Sequence, residues 1–218
     1  MHVPALLQYL QGLAENNNKA WFVMNKPSYD ILREEFVALV GEVIRKSAAF
    51  DPPLAAVDPK KAVFRIYRDV RFSHDKTPYK THFSAAISAD GKKSQGPMYY
   101  FHIGADGELF TAAGCYLPDK ELLAAIRRLI AAQPRLVDKL LADPGFRKAG
   151  GLSDEFMLAR PPKGYDAASP HIDLIRMKSW VARQSQDISK KVPRDLAGTI
   201  AKRFAAMQPL VTWLRQAL

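Results

Sequence analysis

Residues 64–83 read FRIYRDVRFSHDKTPYKTHF, and the fold class turns on how this stretch alternates. Over 62–72 the even positions Phe64, Ile66, Val70 and Phe72 are apolar, whereas Arg65, Tyr67, Asp69 and Arg71 fall on the opposite side. A period of two is the mark of a half-buried strand. Arg68 interrupts the apolar side. It predicts either a side chain snorkelling from a sheet edge or a bulge that re-aims it. The polar run 73–77 then makes a connector, and 79–89 predicts a second strand, ended by Asp90-Gly91.

Working outward, 98–103 and 108–116 predict two further strands, with Asp106-Gly107 as the hairpin turn between them. The spacing makes an antiparallel meander with one face covered by helices, and 180–184 offers one more strand. Upstream, Leu6, Leu7, Leu10 and Leu13 recur at helical spacing over 4–15. A second helix opens at Pro27 and buries Leu32, Phe36, Leu39, Val40 and Val43. Between them, Trp21 is expected to anchor the core beneath the sheet, with ligand stacking as the alternative. Downstream, Pro118 opens a helix with a stripe of Leu122, Leu123, Ile126, Leu129 and Ile130, and Pro134 divides it from a short partner. Residues 143–170 read as irregular. Pro193 begins a terminal helix through Leu196, Ile200 and Phe204, with a kink at Pro209. The expectation is an α+β domain: an antiparallel sheet of four to five strands flanked by N-terminal, middle and C-terminal helices, all within a single domain over 1–218.

The chain has 218 residues, 48% hydrophobic and 25% charged, enough to bury roughly 70% of its unfolded surface. A single cysteine, Cys115, rules out an intramolecular disulfide and a cysteine metal cluster. The start MHVPALLQYLQGL lacks the basic region and apolar run of a secretory signal, and no run approaches 18 apolar residues. A cytoplasmic protein without a membrane partner is the expectation.

The net charge of +10 is unevenly placed. Residues 60–82 hold 7 Lys and Arg against 2 Asp and Glu, and residues 176–218 hold 9 against 2. The remaining stretches, 1–59 and 83–175, hold 5 against 7 and 11 against 11. Excess confined to two segments suits an anionic partner, although a charge run also serves solubility.

The first basic segment is also the densest in reactive groups. Arg65, Asp69 and Arg71 stand on one side of the predicted strand, about 7 Å apart at two-residue spacing. Asp69 between two guanidinium groups stays ionised, which suits a group that orients the arginines rather than a general base. In the connector, Ser73, Asp75, Lys76, Thr77 and backbone amides can converge on an anion. Tyr79, Lys80 and His82 follow, and Arg68 completes the candidate set. Against this stands a plain structural alternative, an ion-pair network that only fixes the sheet.

Other signatures are lacking: there is no phosphate-binding P-loop, G-x-S-x-G elbow or H-E-x-x-H. Ser73, His74 and Asp75 are consecutive and point in different directions, so they make no triad. His82 and His102 can meet across neighbouring strands, but lone strand histidines usually just pack, and no metal is assigned. No cofactor is identified.

The run Arg65-x-x-Arg68-Asp69-x-Arg71-Phe72-Ser73-x-Asp75-Lys76-Thr77-Pro78-Tyr79-Lys80 closely resembles the signature of the family known as domain of unknown function 2461 (DUF2461). Asn16-Asn17…Trp21-Phe22…Lys26…Tyr29 resembles the opening of that family, and Pro162-Lys163-Gly164-Tyr165, Ser169-Pro170-His171 and Lys178 resemble its later part. The resemblance implies a single-domain fold and brings no established reaction. Three readings therefore stand: a small anionic ligand, phosphorylated or not, at the 65–80 motif, with or without catalysis; a nucleic-acid-binding module using the motif and the basic C-terminal face; or a scaffold with a structural ion-pair network.

Overall fold

The computed structural model describes residues 1–218 and is α+β. Four strands, β1 (His82–Ile87), β2 (Met98–Gly104), β3 (Glu108–Cys115) and β4 (Trp180–Asp187), form one antiparallel sheet in the order β1-β2-β3-β4. Nine helices accompany it: α1 (Val3–Glu15), α2 (Lys19–Met24), α3 (Lys26–Ser47), α4 (Pro59–Ala62), α5 (Lys120–Ala132), α6 (Pro134–Ala142), α7 (Pro144–Lys148), α8 (Ile172–Arg176) and α9 (Leu196–Leu214). No helix is long and apolar enough to cross a membrane.

The chain packs as two compact units, each assembled from three stretches. One comprises Met1–Lys92, Tyr100–Thr111 and Ser185–Ala201; the other comprises Lys93–Tyr99, Ala112–Gln184 and Lys202–Leu218. Strands β2, β3 and β4 and helix α9 each contribute residues to both.

In the first unit α1 buries Leu6, Leu10 and Leu13, and α3 buries Phe36, Val40 and Val43, the stripes that helical spacing predicts. Phe36 is the hub. Its ring meets Phe83 of β1 edge-on at 5.6 Å and Phe101 of β2 at 5.4 Å, each full burial of such a ring being worth about 1.5–3 kcal/mol. The β2–β3 hairpin turns at Gly107, whose φ of +83° suits glycine, and a Cβ there would lie 2.6 Å from Ser189.

The second unit gathers α5 to α8 with the C-terminal part of α9. Asp119 caps α5 through the Leu122 amide at 2.9 Å, so the helix starts after Pro118 with a side-chain cap. Trp180 is fully buried and donates its indole N–H to the Leu174 carbonyl at 3.2 Å. A Cβ at Gly114 would fall 2.0 Å from the Trp180 carbonyl oxygen, so only glycine allows β3 and β4 to approach there.

Four expectations need correcting. The stretch 62–72 is no strand: it touches the next segment through two isolated antiparallel bridges, Val63 to Ala85 and Tyr67 to Tyr79. Four residues of advance on one side thus face six on the other, and the two extra residues break the ladder. Thr81 lies in this bend and gives its carbonyl to Ala105 at 2.9 Å instead, which also delays the start of the following strand to His82. Second, Phe72 is 94% exposed, since the chain has already turned at Arg71 and Phe72. Third, Phe22, not Trp21, is the buried anchor: it stacks on Tyr79 at 4.2 Å. Trp21 is half-buried beside Gly12 and Tyr9, in a groove of about 800 Å³ lined by residues of α1 and α3. Fourth, residues 143–170 are not irregular throughout: they contain α7, capped by Asp143 on the Phe146 amide at 2.6 Å, and the terminal helix begins at Leu196 behind an Asp195 cap on Gly198 rather than at Pro193.

Candidate functional site

The broken ladder divides the 65–80 motif into two parts with different electrostatics. Residues 68–77 form a loop organised by Arg68. Its backbone amide bonds the Pro78 carbonyl at 2.9 Å, and its guanidinium reaches the Asp75 carboxylate, the Thr77 hydroxyl, the Thr77 carbonyl at 3.2 Å and Ser73 Oγ at 3.4 Å. Asp75 also accepts from the Thr77 amide at 2.9 Å. That amide and the Arg68 guanidinium hold the Asp75 carboxyl down to about 2. Lys76 caps the Val70 carbonyl at 3.0 Å. Asp69 takes a fork from Arg71, Nε to Oδ1 at 2.9 Å and Nη2 to Oδ2 at 2.7 Å, and these bonds lower its pKa to about 2. The loop's cations are thus engaged by its own carboxylates, hydroxyls and carbonyls. Asp69 stays ionised as expected, but its partner is Arg71 alone; Arg65 acts on it only at longer range.

Tyr79 is 4% exposed and belongs to the core stack. Asn17 clamps its backbone on both sides, accepting from the Tyr79 amide at 3.0 Å and donating to its carbonyl at 2.9 Å. This pairing does what a neighbouring strand would do, and it ties the Asn16-Asn17 stretch to the motif.

Lys80 and His82 face elsewhere, onto the side of β1 and β2 that carries Ser84, Tyr100 and His102, and Arg65 is near enough for its charge to act on Lys80. Lys80 Nζ lies 5.1 Å above the Phe64 ring and Lys92 Nζ lies 5.4 Å from it, both within cation–π range. The Lys80 pKa is lowered by burial first, then by Arg65 and Lys92; the charges acting on it are both cations. His82 is pushed down to about 4 by burial, with His102 and Lys80 adding to the effect, so it is neutral at pH 7. Its ring lies 5.1 Å from that of His102, the cross-strand meeting that their positions foretold. No third His, Cys, Asp or Glu completes a metal-ligating group. The crevice bordered by Phe64, His82, Tyr29 and Arg33 holds about 10 Å³, space for one water at most. A ligand on this side would therefore rest on the face rather than sink into that crevice.

Lys92, Tyr100 and Glu108 join this face without having been singled out from sequence. One signal for Tyr100 was present: in β2 the residues Tyr99, Phe101 and Ile103 are buried while Tyr100 and His102 are not, a period-two pattern legible in MYYFHIG. Lys92 had none, because it follows the Asp90-Gly91 turn and reaches back to the Val63 carbonyl. In the C-terminal basic segment, Arg176 pairs with Asp173 at 3.0 Å and Arg183 pairs with Glu155 at 2.5 Å.

The model of the conserved hypothetical protein family DUF2461 matches residues 5–213, so the chain belongs to that family. No curated protein and no solved structure matches it.

Proposed function

We propose that this member of the DUF2461 family binds a small anionic ligand, a phosphate group fitting best, on the face formed by Arg65, Lys80 and Lys92 around Phe64. One observation carries this reading: Lys80 is partly desolvated among cations, with no carboxylate among the charges acting on it. Gathering like charges costs free energy that a bound anion recovers. The loop cations Arg68 and Arg71 differ, since each already holds a carboxylate. Lys supplies a point charge and Arg a planar fork for one oxyanion, and Phe64 offers an apolar wall.

A thermal-shift series with inorganic phosphate, pyrophosphate, nucleotides, sugar phosphates and carboxylates tests this. A ligand at one hundred times its dissociation constant stabilises by about 2.7 kcal/mol, or roughly 5–10 °C in a chain of this size. The shift is expected to vanish in Arg65→Gln and Lys80→Ala and to persist in Arg71→Gln and in the double variant Lys190→Ala, Lys191→Ala. Loss in Arg71→Gln with persistence in Lys80→Ala would move the site to the loop. Loss only in the Lys190 and Lys191 variant would move it to the C-terminal segment, and no shift with any compound would leave the motif as scaffold.

A further inference from the structure

On the side of the sheet that carries Lys80, three side chains of the first unit stand in a row. Tyr100 Oη lies 3.2 Å from His102 Nδ1, and His102 Nε2 lies 3.4 Å from Glu108 Oε2. The other Glu108 oxygen accepts from Ser185 Oγ at 2.5 Å. His102 is stacked on Phe110 at 4.9 Å and 12°, so its ring plane is held between Tyr100 and Glu108. A hydroxyl in reach of an imidazole whose far nitrogen meets a carboxylate is the arrangement that activates weak oxygen nucleophiles. With the carboxylate on Nε2, the proton sits there and Nδ1 is free to accept.

We propose that Tyr100, His102 and Glu108 form a hydroxyl–imidazole–carboxylate relay in which Tyr100 is the nucleophile towards a phosphate ester held on the Lys80–Lys92 face. The identity of the substrate rests on the anion-binding reading; the relay itself rests on the distances. In the step, the Tyr100 oxygen bonds to phosphorus and the bond from phosphorus to the ester oxygen breaks, its electron pair leaving with that oxygen. The phenolic proton passes to His102 Nδ1, and the departing oxygen, which leaves from the far side of phosphorus, takes its proton from solvent water. Glu108 balances the transient imidazolium, and Lys80 and Lys92 offset charge on the phosphoryl oxygens. Tyr100 is the catalytic residue; His102 acts through it, and Glu108 and Ser185 are positioning residues.

Two further observations agree. Burial lowers the His102 pKa against the opposing pull of Glu108, which keeps the imidazole neutral and able to take a proton at pH 7. Burial raises the Tyr100 pKa while a hydrogen bond with Ser84 lowers it, so the phenol ionises only as its proton moves to His102. Phe64 links the two groups: its ring lies 6.3 Å from that of Tyr100, and Lys80 Nζ and Lys92 Nζ lie 5.1 and 5.4 Å from it.

An arylsulfonyl fluoride tests the relay without a known substrate. Its tetrahedral sulfur takes the place of phosphorus: an oxygen–sulfur bond forms at Tyr100, fluoride leaves with the electron pair, and the proton goes to His102. Peptide mapping by mass spectrometry then compares Tyr100 with Tyr116 and Tyr67, which are 65% and 50% exposed and serve as solvent-accessible references. Tyr100 is expected to react at least tenfold faster than both at pH 7.5, and to fall to their rate in His102→Gln. In Glu108→Gln the rate falls, and its acid limb moves to lower pH, because losing the carboxylate lowers the His102 pKa; Asp106, the other acid acting on His102, remains. A Tyr100 rate in the wild-type protein no greater than that of Tyr116 overturns the relay, with no variant needed. So does an unchanged rate in folded His102→Gln. Inorganic phosphate is expected to protect Tyr100 in the wild type and not in Lys80→Ala. Fast labelling without protection keeps the relay and overturns the anion assignment, whereas a phosphate thermal shift without labelling keeps the anion site and overturns the relay.

Discussion

The loop 68–77 and the sheet face bearing Lys80 are close in sequence and both cationic, yet the loop arginines and Lys80 are handled in opposite ways. In the loop, Arg68 and Arg71 meet Asp75 and Asp69 within eight residues of chain. On the face, Lys80 is flanked by Arg65 and Lys92 and is partly desolvated. The difference teaches that density of charge does not locate a binding surface. What matters is whether the fold has already supplied the counter-charges, because a saturated cation has little left to offer a ligand.

The two regions separate most widely in acid. His82 on the face has a folded pKa of about 4 against an ordinary 6.5. The unfolded chain therefore binds more protons than the folded one between those values, and stability falls as pH drops through that window. The contribution, fully present above pH 6.5, is up to about 3 kcal/mol. Asp69 and Asp75 in the loop titrate from 3.8 down to about 2, so their contribution is lost only below that window. Urea unfolding of wild type and His82→Gln at pH 7.5 and 4.5 checks this; the variant is expected to lose most of the slope. An equal slope in both would place the acid sensitivity elsewhere.

A smaller effect is expected from Arg68→Ala, which removes the hub of the loop. Tryptic cleavage after Arg71 should accelerate roughly tenfold through local opening, while phosphate binding on the face stays within twofold. If binding falls in step with cleavage, the two regions are one site and the comparison collapses.

The smallest effect belongs to Asp69→Asn. Its pair with Arg71 is solvent-exposed, 50% and 76%, and exposed pairs contribute little. The thermal midpoint should not move measurably. Release of Arg71 should instead add a free guanidinium to the loop. If that variant gains phosphate affinity at the loop, pairing is confirmed as what keeps the loop inactive towards anions.

Much of the architecture was legible because it depends on periodicity. The stripes of α1, α3 and α5, the Asp106-Gly107 hairpin and the meander of β1 to β3 follow from spacing alone, since one face of each element must be buried. Even the His82–His102 encounter could be foreseen, as both lie on strands that pair. The first predicted strand failed because alternation specifies which side chains turn inward, not whether two segments advance at equal pace; the two-residue surplus between Tyr79 and Ala85 leaves no trace in the pattern of 62–72. Trp21 and Phe22 are adjacent, and composition does not say which of the two is buried.

By itself, then, the sequence determined the fold class, the family and the concentration of charge in residues 60–82. It did so because burial patterns and residue counts are properties of the chain. Only the tertiary structure decided which of those charges are spent. Arg68 and Arg71 found carboxylates through the turn of the loop, Lys92 came to Lys80 from beyond β1, and Tyr100, His102, Glu108 and Ser185 were aligned by three different strands. Electrostatic coupling depends on distances of a few ångströms in a partly desolvated setting, and such distances are set by register and packing between segments far apart in the chain.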